Sequence, residues 1–105
     1  MSDRPSAVPT VLIENDRVRV TEWRFAPGAE TGFHVHAHDY VVVPLVTGIL
    51  RIEDANGVRD VPLEAGASYG RPKGVAHKVI NANAFEYRFV EIELKGASHD
   101  RRPQH

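Results

Sequence analysis

Three histidines, held in two glycine-punctuated segments, carry the potential chemistry of this chain. The first segment runs Gly28-Ala-Glu-Thr-Gly-Phe-His34-Val-His36 and continues through His38, Asp39 and Tyr40 to Gly48. The second runs from Gly66 through Arg71, Pro72 and Gly74 to His77 and Asn81. Residues two apart on an extended strand leave the same face, so His34 and His36 project together. The turn at Pro72-Lys73-Gly74 can aim His77 inward to meet them. Three converging imidazoles make a site for one divalent transition metal, and iron, manganese, nickel, zinc and copper all accept such nitrogens. Cysteine is absent, so any further ligand must be nitrogen or oxygen.

The elements that must position these groups read as strands. Val11-Leu12-Ile13 opens the series. Arg17 to Phe25 alternates, with Val18 and Val20 on one face and Arg19, Thr21 and Trp23 on the other. Thr31 to His38 reads as one extended piece. In that register His34, His36, His38 and Tyr40 share a face. Tyr40 to Val43 is a β-branched run, and Pro44 beside it marks an edge or a bulge. Ile49–Glu53 and Val58–Val61 flank Asn56-Gly57, the strongest hairpin signal present. Pro62 to Gly66 reads as a turn, Ala67 to Tyr69 as a short strand, and Val75 to Ile80 as a longer one. Phe85 to Leu94 alternates cleanly: Phe85, Tyr87, Phe89, Glu91 and Glu93 against Val90, Ile92 and Leu94. No helix of normal length is expected. Many short strands between turns indicate an all-β sandwich or barrel.

In these residues the chain resembles a small single-domain cupin. That family's first motif is Gly, five residues, His-x-His, three or four residues, Glu, six residues, Gly; Gly28, His34, His36 and Gly48 match it. Its second is Gly, five residues, Pro-x-Gly, two residues, His, three residues, Asn; Gly66, Pro72, Gly74, His77 and Asn81 match it without a gap. The resemblance implies a jelly-roll barrel of two antiparallel sheets over residues 1–96. It implies metal ligands at His34, His36 and His77. The run Asp39 to Leu45 and the ending Val90 to Lys95 further resemble small cupins linked to β-alanine catabolism. The family's Glu ligand has no counterpart, because its position falls on Tyr40 or Val41. A three-histidine sphere is the expectation, with His38 or a water as the extra ligand. Tyr40 reads as a donor to the site, an axial oxygen ligand or a core aromatic. Asp39 reads as a turn residue or a group orienting an imidazole. Arg71 presents a planar fork of donors, suited to a substrate carboxylate, or is a solvated loop arginine.

Three neutral ligands leave a cation's charge uncompensated, so the expected partner is a small anionic molecule. Three function classes follow: a metal-dependent dioxygenase, isomerase or decarboxylase on a small carboxylate or carbonyl compound, with Tyr40 and Arg71 assisting; a non-catalytic metabolite or metal sensor or accessory protein; and a barrel with an empty site. A general base on the cavity wall, with Glu91 or Glu93 as candidate, would favour the first. The net charge of −1 shows no basic excess, which argues against nucleic acid and anionic membranes as partners. No segment is apolar enough to span a bilayer. The lack of cysteine and of a signal peptide fits the cytoplasm. Apolar strands in surplus of one thin barrel suggest a homodimer, with Trp23 and the Phe85, Tyr87, Phe89 face as candidates for the contact. Residues 97–105 are polar and aperiodic, and read as a flexible tail with His99 and His105 solvated.

Overall fold

A computed structural model describes residues 3–96 as nine strands in two antiparallel sheets, with no helix among the described residues. The tail at 97–105 lies outside them. The strands are β1 (Val8–Glu14), β2 (Val18–Phe25), β3 (His34–Val35), β4 (Asp39–Pro44), β5 (Gly48–Asp54), β6 (Gly57–Leu63), β7 (Tyr69–Arg71), β8 (Ala76–Asn81) and β9 (Tyr87–Leu94). The larger sheet is ordered β1-β2-β9-β4-β7 and the smaller β3-β8-β5-β6. This is the jelly-roll barrel that the alternating strands require: each sheet has one face that must find a partner.

The core lies between the sheets. Phe25, Tyr87 and Phe89 from the larger sheet pack with Leu50 and Val79 from the smaller, all buried. Register accounts for this. Phe25 pairs with Tyr87, Trp23 with Phe89 and Thr21 with Glu91, so these side chains share the inner face of β2 and β9. The alternation read for β9 holds throughout the strand. The aromatic face offered above as a dimer contact is therefore spent inside the barrel; of it, only Phe85 is substantially exposed. The apolar surplus is on the outer face instead. There Ile13, Val20, Ile92 and Val41 form one cross-strand row, flanked by Val18, Leu94, Val90 and Val43.

Three local expectations are corrected. Thr31 to His38 is not one strand: Gly32, at φ 79°, separates the Thr31–Val79 bond from His34–Val35, and beyond Val35 the ladder with β8 becomes irregular, the His36 carbonyl accepting from Gly74 N–H rather than from Val75 N–H. Pro62 lies inside β6, which forms a sheet edge and can dispense with an N–H. The short strand is Tyr69–Arg71, two residues later than read. The β5–β6 hairpin forms as expected; within it Ala55 and Asn56 keep negative φ and Gly57 turns positive, at 116°. An Asp54 carboxylate oxygen accepting from the Asn56 N–H at 2.9 Å stabilises that form over the mirror-image turn. Pro44 ends β4 beyond the reach of three-residue β7 and pairs only with β9, a local edge as expected.

Candidate metal centre

His34 on β3 stands directly opposite His77 on β8, which brings two imidazoles together by strand pairing alone. His36 follows β3 in an irregular stretch, yet its backbone is fixed. Its N–H donates to the Val75 carbonyl and its carbonyl accepts from Gly74 N–H, each at 2.8 Å. The Pro72-Lys73-Gly74 turn thus holds His36 while delivering His77. Gly74 sits at φ 94°, a conformation that a side chain would strain. Asp39 belongs to the same device: its carboxylate accepts from Lys73 N–H at 2.8 Å, as a turn residue rather than a partner of an imidazole.

The His34 and His36 Nε2 atoms lie 3.1 Å apart, and those of His36 and His77 3.2 Å apart. His34 Nδ1 is 2.9 Å from the Gly32 carbonyl, which can only accept, so that nitrogen carries the proton and Nε2 a lone pair. His36 Nδ1 faces the Glu91 carboxylate at 3.5 Å, which favours the same tautomer. Lone pairs then point at lone pairs across 3.1 Å, an arrangement that a cation at their focus relieves. Nitrogens about 2.0–2.1 Å from a common ion stand about 2.9 Å apart at right angles and about 3.4 Å apart in a tetrahedron. The observed spacings fall between those limits. The three residues fit a divalent metal.

Burial, then the neighbouring imidazoles of His34 and His77, then Arg71 hold the His36 pKa down at about 4. Burial, His34 and Arg71 bring His77 to about 4 as well. Both rings are therefore neutral at pH 7, the form that binds metal. His38 borders the cavity but stands outside the three-residue group, because the strand that would have aligned it with His34 and His36 ends early. No carboxylate joins the group among the described residues. Tyr40 reaches the site from β4, not by continuing the histidine register. Its ring stacks on His36, centroids 3.8 Å apart and planes 16° apart.

The centre opens into a cavity of about 550 Å³. Leu50, Ile52, Val61 and Leu63 form an apolar wall, and Arg19, Arg59, Arg71, Glu91 and Glu93 add charge. Glu91 is buried and accepts from the Trp23 indole N–H at 3.1 Å. Burial raises its pKa, against the pull of that bond. Arg19 and Arg59 belong to neither motif. Their strands signal them: Arg19 alternates with Thr21 and Trp23, and Arg59 with Val61 and Leu63.

Fold and sequence together define the class. The cupin domain family matches residues 21–93, and the chain belongs to it. Over 95 residues it is 62% identical to the Beta-alanine degradation protein BauB of Pseudomonas aeruginosa, covering 90% of this chain and 100% of that protein. A crystal structure of a cupin domain from Bordetella pertussis is 55% identical and superposes with a TM-score of 0.89, over 91% of this chain and 100% of that one. A double-stranded β-helix protein from Klebsiella pneumoniae, 24% identical with a TM-score of 0.73 over 91% and 83% of the two chains, shares the fold alone. No helix among the described residues is long and apolar enough to cross a membrane.

Proposed function

We propose that this cupin is a metal-dependent enzyme of β-alanine breakdown, acting on a small anionic carboxylate or carbonyl compound. The observation that carries the reading is the convergence of three imidazole Nε2 atoms, 3.1 and 3.2 Å apart, on a cavity of about 550 Å³. The identity with BauB supports the metabolic setting. His34, His36 and His77 would hold the ion. Bound there, it supplies Lewis acidity toward a carbonyl or carboxylate oxygen. Tyr40 stacks on His36 and restrains its ring. The apolar wall of Leu50, Ile52, Val61 and Leu63 limits water around the bound molecule. A cytoplasmic, homodimeric protein fits the cysteine-free composition and the apolar outer sheet face.

One observation favours a second reading, a non-catalytic metabolite-binding cupin. Both carboxylates on the cavity wall are engaged, Glu91 by Trp23 and Glu93 by Arg19 at 3.5 Å, so among the described residues no unpaired carboxylate stands ready there as a general base. One experiment tests both. Protein purified without a metal-affinity step is assayed for bound metal, and for consumption of small carboxylic acids and of dioxygen. About one ion per chain, lost in His36→Ala, with turnover of an acid, is the expected result. Binding without turnover moves the assignment to the second reading. No bound metal after growth in supplemented medium refutes both.

A further inference from the structure

Of the three arginines on the cavity, two are already neutralised. Arg19 is held by Glu14 at 2.9 Å and by Glu93, and Arg59 by Asp54 at 2.9 Å. Among the described residues no carboxylate pairs with Arg71. Arg71 stands directly opposite Tyr40 in the β4–β7 ladder, so both side chains rise from the same inner face. Tyr40 is 3% exposed, lines the cavity, and its hydroxyl has no hydrogen-bond partner. Burial pushes the Tyr40 pKa up to about 12, against the opposing pull of the Arg71 charge, so the hydroxyl keeps its proton, and no partner takes it up. A buried hydroxyl left unmatched costs free energy that a bound acceptor returns.

The geometry points to a carboxylate anchor formed by the Arg71 guanidinium and the Tyr40 hydroxyl, beside the three histidines. Guanidinium and phenol both donate, so the complementary group is an acceptor with negative charge, and a planar carboxylate matches the fork. Tyr40 also stacks on His36, which places the anchor next to the imidazole cluster. The ligand is thus a short carboxylic acid with a second oxygen a few bonds away. One end is taken by Arg71 and Tyr40, and the other is directed at the histidines. An ammonium at the anchored end is disfavoured, because the unpaired Arg71 guanidinium beside it carries the same charge. This rests on the metal reading above for the second oxygen, but not for the carboxylate.

The test uses the full chain loaded with cobalt(II) and two probes, 3-hydroxypropionate and its uncharged amide, with affinity read by calorimetry and by the cobalt spectrum. Arg71→Met should weaken binding of the acid about 10- to 100-fold, with metal content and amide affinity unchanged. Tyr40→Phe should weaken the acid by a smaller factor, and Arg71→Lys should restore part of the loss. Acid binding in Arg71→Met within about 3-fold of the parent, with metal retained, overturns the anchor and leaves the metal reading standing. If the parent takes up no metal, the metal reading fails alone, and the anchor is judged on the metal-free chain by NMR. There, shifts at Tyr69 to Arg71 on adding acid support it if Arg71→Met abolishes them, and overturn it if they persist or never appear.

Discussion

Replacing Asn81 by Ala should cost more stability than removing any metal-binding histidine from the metal-free protein. Asn81 is 2% exposed at the end of β8. Its side-chain amide nitrogen lies 3.2 Å from the carbonyls of Phe25 and Ala26 and 2.8 Å from that of Phe85. Its oxygen accepts from the backbone and side-chain N–H groups of Asn83, at 2.9 and 2.8 Å. Two amide hydrogens and one oxygen thus organise the exits of β2 and β8 and the entry to β9. Ala leaves the Phe25 and Ala26 carbonyls without that donor. At about 1 kcal/mol per bond, with water recovering part of the loss near Phe85, the penalty is about 2–4 kcal/mol. For a domain of this size that lowers Tm by about 10–25 °C. The assay is urea and thermal unfolding of the metal-free chain. Asn83→Ala measured alone and with Asn81→Ala should be non-additive, because each substitution removes the same side-chain bond between the two residues, at 2.8 Å. An Asn81→Ala protein within 1 kcal/mol of the parent would refute the reasoning. So would strict additivity with Asn83→Ala.

The metal-free protein should lose stability between about pH 6.5 and pH 4. His36 and His77 have folded pKa values of about 4, against about 6.5 for an unfolded histidine, so in that window the unfolded chain binds protons that the fold does not. Stability is present above the window and falls as pH drops, by about 2 kcal/mol in total after allowance for partial solvation. Urea midpoints at pH 7 and pH 4.5 check this, and a His36→Asn, His77→Asn variant with the same loss contradicts it. Glu91→Gln keeps the acceptor for Trp23 but removes the charge facing His36; metal affinity should fall about 10-fold by competition with a chelator, and an unchanged affinity denies Glu91 that role. The outer row Ile13, Val20, Ile92 and Val41 is expected to bury about 800 Å² per subunit in a homodimer. Light scattering should give twice the chain mass for the parent and the chain mass for Ile92→Glu; a monomeric parent at micromolar concentration removes this interface.

Where spacing alone fixes geometry, the sequence was legible. The two motif frames located His34, His36 and His77, and period-two alternation assigned both faces of β9. It failed where tertiary hydrogen bonds override period. Only the bond from Gly74 N–H to the His36 carbonyl, in place of one from Val75, reveals that regular pairing ends at Val35, and His38 lies beyond that end, outside the imidazole group. The Trp23–Glu91 bond is diagonal to the β2–β9 pairing, so the register must be known before the contact can be named. Pro62 looks like a turn residue in sequence because an edge strand cannot be told from a turn until strand order is known.

β9 writes two messages in one string. Tyr87, Phe89, Glu91 and Glu93 face the cavity side, while Arg88, Val90, Ile92 and Leu94 face out. Because the side-chain period is two, losing or gaining one residue after Asn83 would exchange the messages wholesale. Ile92 or Val90 would stand where Glu91 meets His36, and a carboxylate would stand in the outer row. Length in the β8–β9 connection is thus constrained from both sides of the sheet. A single-codon deletion there should be far more damaging than one in the exposed Ala55-Asn56 turn, even though neither removes a residue of the site.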